Sequence, residues 1–131
     1  MMSENFNLEI VTPDRVIFKS EANQVTIPSF EGLMSILKDH VSIVTFLRPG
    51  LIEVLSSKGE EKFFVDEGTV ELNNNNLLIL SSSVKDVKKI SKKEINEMIQ
   101  NAEKAYNNQE IKDKDKYILS HKIDTLKEFT Q

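Results

Sequence analysis

The chain has 131 residues, no cysteine and a formal charge of −4. That length suits one domain, or a small domain with an appendage, and 39% apolar with 29% charged residues is a folded rather than a disordered composition. Lack of cysteine excludes a disulfide framework and a thiolate metal site, and apolar runs of about four residues exclude a bilayer-crossing helix, which needs roughly 20. The N-terminal Met1-Met2-Ser3-Glu4-Asn5 carries neither the basic patch nor the apolar stretch of a secretion signal. The expected address is cytosolic, which includes the cytosolic face of a membrane complex.

In chain order, Phe6, Leu8 and Ile10 alternate with polar neighbours and predict a strand with one apolar face. Thr12-Pro13-Asp14 turns the chain into a second strand, Arg15 to Phe18. Val25 and Ile27 alternate before Pro28. Ile43 to Leu47 forms a strand closed by the turn Arg48-Pro49-Gly50. Leu51 to Leu55, then Ser57-Lys58-Gly59-Glu60, then Phe63 to Val65 read as a hairpin. Gly68 precedes Val70 and Leu72. Asn73 to Asn76 is a tight loop whose asparagines tolerate left-handed backbone. Leu77 to Leu80 reads as a buried strand ending at Ser81-Ser82-Ser83. All four glycines and all three prolines lie in residues 1–87, together with six of the seven phenylalanines. The expected first domain, 1–87, is thus an antiparallel β-sandwich of about ten short strands.

Residues 88–131 have no glycine or proline and carry 10 basic and 8 acidic side chains, against 7 and 13 in residues 1–87. Ile95, Met98, Ile99, Ala102, Ala105 and Tyr106 recur at three- and four-residue steps and predict an amphipathic helix. Ser91-Lys92-Lys93-Glu94 fits a capping box, the serine accepting from the Glu94 amide and the Glu94 carboxylate reaching back. Asn107 to Glu110 interrupts the pattern. Leu119, Ile123, Leu126 and Phe129 form a second stripe, starting at Asp113 or Asp115. The expected fold class is therefore α+β, a sandwich followed by a two-helix hairpin domain over 88–131. The apolar positions of that hairpin are few for the chain they must order. It is expected to dock, reversibly, on the sandwich or on a partner.

Catalytic chemistry has little support. His40 and His121 stand in no metal-ligand spacing, and no metal site is expected. Asp39-His40 with Ser42 makes a poor triad, because neighbours on a strand face opposite ways. Neither G-x-x-x-x-G-K-[ST] nor G-x-G-x-x-G occurs. The cluster Lys88, Lys89, Lys92 and Lys93 reads as a solvated face at a helix start. The protein is acidic overall and no aromatics interleave the lysines, so nucleic acid is not expected as a partner.

Five segments resemble the epsilon subunit of F-type ATP synthases. Val11-Thr12-Pro13 ends the first strand as V-T-P does in that family. Ile27-Pro28-Ser29-Phe30-Glu31-Gly32 resembles L-P-x-x-E-G, and Ile36-Leu37-Lys38-Asp39-His40 resembles V-L-P-G-H. Thr45 to Gly50 resembles T-x-L-K-P-G, and Phe64-Val65-Asp66-Glu67-Gly68 resembles F-V-x-x-G. Lys38-Asp39 departs from the usual P-G, and Leu33-Met34-Ser35 from a glycine and aromatic pair.

The resemblance implies a non-catalytic subunit of the rotating central stalk, peripheral on the cytoplasmic face of the bacterial inner membrane. Its sandwich would pack on the gamma subunit and on the polar loops of the c-ring. Glu31 and His40 would lie toward the rotor foot. The hairpin would fold on the sandwich, or extend along gamma toward the alpha and beta catalytic subunits and inhibit hydrolysis. Its Lys104, Lys112, Lys114, Lys116 and Lys122 are read as solvated. Some members bind regulatory ATP through I-D-x-x-R-A. Here Ser91, Glu94 and Ile95 replace the aspartate, arginine and alanine, and a glutamate repels phosphate, so no cofactor is expected. Two other readings stay open: a stand-alone sandwich that binds small ligands or sugars with a helical oligomerisation tail, and a small hydrolase with a triad assembled from distant residues.

Overall fold

A computed structural model describes residues 5–129. Met1 to Glu4, part of the segment read as lacking a secretion signal, lie outside them. Ten strands come first: β1 (Phe6–Val11), β2 (Val16–Ala22), β3 (Gln24–Ser29), β4 (Gly32–Leu37), β5 (Ile43–Leu47), β6 (Gly50–Ser56), β7 (Gly59–Val65), β8 (Gly68–Asn73), β9 (Asn76–Ser81) and β10 (Val84–Asp86). After a 3-10 turn at Val87–Lys89 come α1 (Lys92–Tyr106) and α2 (Asp113–Glu128).

One hydrogen-bonded path runs β10-β7-β6-β3-β5-β8-β9-β1-β2, with β4 added to β3. It folds into two layers at the link between β3 and β5, a single pair, Ser29 with Leu47. Every pairing is antiparallel except β1 with β9, which is parallel. Alternation does what the sequence pattern asks. Phe6, Leu8 and Ile10 meet Val25, Ile27, Ile52, Val54, Phe63, Val65, Val70 and Ile79 in one core between the layers.

The turns follow residue chemistry. Asn74 and Asn75 take φ of 50° and 61° between β8 and β9. Gly68 is required by close approach: a Cβ there would stand 2.1 Å from the Leu80 carbonyl oxygen. The Ser81 hydroxyl is buried at that strand end, 3.0 to 3.2 Å from the carbonyls of Asp66, Glu67 and Ser83, and so pins the β7–β8 turn.

Two strands escaped the sequence pattern. β4 exposes Leu33 and Leu37 on its outer face, so its apolar residues do not alternate with polar ones. β10 is only three residues long. β2 runs on to Ala22 because Ala22 pairs with Phe6.

The hairpin also differs in detail. Ile95 and Ala102 of the first stripe are buried, but Ala105 is exposed and Tyr106 is 38% exposed. At that end the contact between the helices is polar, with the Lys116 ammonium of α2 5.7 Å from the centre of the Tyr106 ring. In α2, Ile118, Ile123 and Leu126 are buried and Leu119 is half-buried, so the buried face is turned by one residue at its start. Ser91 caps α1 by accepting from the Glu94 amide at 3.1 Å. The Glu94 carboxylate lies 4.0 Å from Lys85 Nζ and makes no return bond to the Ser91 amide, so only half of the capping box forms.

Candidate functional site

The outer face of the β5–β8–β9 layer is an open apolar surface. Strand β5 is apolar on both sides: Leu47 points inward, while Val44 and Phe46 point outward and are 75% and 61% exposed. Register places Val44 across from Glu71, which faces Leu78, and Phe46 across from Thr69, which faces Leu80. Leu78 and Leu80 are about two-fifths exposed. Four apolar side chains flank Glu71 and Thr69 on one open sheet face, a composition typical of a surface that meets another protein. The sequence held the signal. A strand reading Ile43-Val44-Thr45-Phe46-Leu47 must show apolar groups on both faces, and only one face can point into the core.

Glu31 and His40 lie at opposite ends of β4. At a rise of 3.3 Å per residue the strand separates them by about 20 Å. Glu31 is exposed in the β3–β4 turn, at the end marked by the Ser29–Leu47 pair. His40 is half-buried beside the Asn74-Asn75 turn. Its Nδ1 lies 2.7 Å from the Val41 carbonyl oxygen, and the adjacent Asp39 accepts from Asn75 Nδ2 at 2.9 Å while its amide donates to Asn75 Oδ1 at 2.7 Å. β4 ends at Leu37 and Asp39, with φ of 65°, turns the chain, so Asp39-His40-Ser42 lies in a loop and not on a strand. The Asp39 carboxylate serves that loop and does not orient the His40 ring.

The second histidine lies where α2 crosses the sandwich. Arg48 Nη1 is 2.8 Å from His121 Nδ1 and 3.0 Å from Nε2. Tyr117 meets the His121 ring edge-on, with centroids 4.5 Å apart, and stacks on Phe30 at 6.1 Å. Lys122 Nζ is 3.1 Å from Asp66 Oδ2. Below them Phe64 of β7, Ile95 of α1 and Leu126 of α2 form a small apolar cluster, with Phe129 edge-on to Phe64 at 5.9 Å. The expected docking of the hairpin on the sandwich is therefore present. The lysines Lys88, Lys89, Lys92 and Lys93 are exposed, as a solvated face should be.

A family model described as the ATP synthase delta/epsilon chain beta-sandwich domain matches residues 5–87. The chain belongs to that family. The ATP synthase epsilon chain of Pelagibacter ubique is 46% identical over 96% of this chain and 98% of its own length. That of Clostridium novyi is 33% identical over 78% of this chain and 79% of its own. Among solved structures, a chain of the Euglena gracilis mitochondrial ATP synthase (OSCP, F1 and c-ring in rotational state 1) superposes with a TM-score of 0.73 at 18% identity, over 97% of this chain and 80% of that one. A chain of the central stalk and c-ring structure of the Tetrahymena thermophila mitochondrial enzyme gives 0.66 at 17%, over 95% and 92%. The identification of an ATP synthase epsilon subunit from five short motifs thus holds.

Proposed function

We propose that this chain is a non-catalytic subunit of the rotating central stalk, passing rotation between the c-ring and gamma. It would sit peripherally on the cytoplasmic face of the bacterial inner membrane. The observation that carries this reading is the open stripe of Val44, Phe46, Leu78 and Leu80 on a chain whose relatives are epsilon chains. Such a stripe belongs against a partner, and gamma is the partner assigned to it. No helix among the described residues is long and apolar enough to cross a membrane, which fits a peripheral place.

Phe46→Glu tests the reading. A charge forced into that contact without a counter-ion is strongly unfavourable, so co-purification with gamma should fall at least tenfold while the melting temperature stays near that of the parent. Undiminished capture would refute the assignment of this face.

Glu31 and His40 are proposed as polar contacts to gamma or to the c-ring loops. Because β4 holds them about 20 Å apart, single changes separate their roles. Glu31→Ala and His40→Ala, each in a reconstituted complex, should lower ATP-driven proton pumping to different extents. Unchanged pumping in both would remove the proposal.

The hairpin is further proposed to bind no regulatory ATP, since Glu94 occupies the expected arginine position and its carboxylate faces Lys85. Micromolar binding in a calorimetric titration would overturn this.

A further inference from the structure

We propose that the Arg48–His121 contact is a proton-operated latch: a neutral His121 holds the hairpin against the sandwich, and its protonation releases α2. The latch is a property of the isolated chain and does not depend on the rotor assignment.

The contact favours the neutral ring. Arg48 Nη1 lies 2.8 Å from His121 Nδ1 and 3.0 Å from Nε2; a guanidinium carries donors only, and a neutral imidazole keeps one unprotonated nitrogen to accept from it, whereas an imidazolium keeps none. Protonation would remove the lone pair and set two cations in contact. Arg48 has little room to retreat. Its amide donates to the Pro28 carbonyl at 3.0 Å, and its turn packs so closely that a Cβ on Gly50 would stand 2.8 Å from Pro28 Cβ. Its Nε is buried and finds no protein acceptor.

The groups facing His121 can be named from each side. Arg48 comes from the β5–β6 turn. Glu53 of β6, with Asp124 and Glu128 of α2, lines the same cleft of about 380 Å³, and Tyr117 lies against the ring. Lys122, one residue on, is engaged by Asp66. Burial and Arg48 push the His121 pKa below its ordinary value of 6.5, and Asp124 opposes them without reversing the direction.

The sign follows from linkage. The docked state binds its proton less readily than a freed α2, so docking is at full strength above pH 6.5. It weakens as pH falls from 6.5 through the lower docked value. The element that responds is lightly held: among the described residues a small cluster of Phe64, Ile95 and Leu126 is buried between sandwich and hairpin, with Ile90, Met98, Ile99 and Phe129 partly buried against it.

The chain has no cysteine, so Lys58→Cys and Lys114→Cys can carry a donor and an acceptor dye on the full-length protein. Energy transfer should be constant from pH 8.5 to 7. It should drop reversibly between pH 6.5 and 5, with the docked-to-free ratio falling at least threefold. In His121→Gln, whose amide oxygen accepts from Arg48 at every pH, the drop should vanish. In Arg48→Gln it should be blunted, and His40→Gln should behave as the parent. A pH-independent signal in the parent, the same drop in His121→Gln, or loss of the drop in His40→Gln would each overturn the latch.

Discussion

Phe63 and Phe64 are neighbours in sequence and belong to different structures. Phe63 faces inward among the sixteen residues of the sandwich core; Phe64 faces outward and anchors the hairpin through a cluster of three fully buried side chains. One strand therefore supplies both the part of the molecule that must stay folded and the part that has least to hold it. The same alternation recurs in β5, where Leu47 is buried and Phe46 is open. What separates the two regions is the number of apolar groups that close on each other, rather than helix or strand propensity.

The sharpest way to break this comparison is to cut each phenylalanine in turn. Phe63→Ala removes a ring packed against Phe18, with centroids 5.0 Å apart, inside the main core. It should cost about 3–5 kcal/mol and lower the denaturation midpoint of the whole domain. Phe64→Ala should leave that midpoint within about 1 kcal/mol of the parent and instead raise the hydrogen-exchange rates of α2 amides. Equal shifts of a single cooperative transition in both variants would show that sandwich and hairpin are one unit.

A smaller effect sharpens the comparison within the hairpin. Ser91→Ala removes the acceptor for the Glu94 amide and should destabilise α1 by about 1 kcal/mol, with Ser91→Asp restoring it. Exchange in the first turn of α1 would report the loss while strand amides stay protected. If strand protection fell too, α1 would be part of the sandwich fold and not a docked appendage.

Much of this was legible in the chain because one rule, apolar groups on alternate residues, governs most strands. It failed where an exposed face was itself apolar. Leu33 and Leu37 hide the alternation of β4, and the apolar Val44 and Phe46 on the open face of β5 blur its two sides, although its existence as a strand is legible. The helix stripes follow from spacing, which says nothing of where packing stops: Ala105 is exposed, and Tyr106, 38% exposed, meets only the Lys116 ammonium of α2 over its ring among the ring contacts of the described residues. The Arg48–His121 contact joins residues 73 positions apart and has no local signal at all. Glu31 and His40 lie in neighbouring motifs, yet only the strand between them reveals that they occupy opposite ends of the sandwich.

The smallest expected effect concerns the other polar tie of the hairpin. Lys122 and Asp66 are 3.1 Å apart with side chains 23% and 28% exposed, so water screens the pair only in part. An ion pair so placed gives about 0.5–1 kcal/mol, too little to hold α2 alone but enough to bias it. Asp66→Asn should therefore leave the melt of the sandwich unchanged and shift the docked-to-free ratio of the hairpin by roughly two- to fivefold, with the difference from the parent shrinking at about 1 M salt. A cycle with Lys122→Met isolates the pairwise part. Coupling well above this range would mean that the hairpin is clamped by charge, and its release would then depend on ionic strength more than on the protonation of His121.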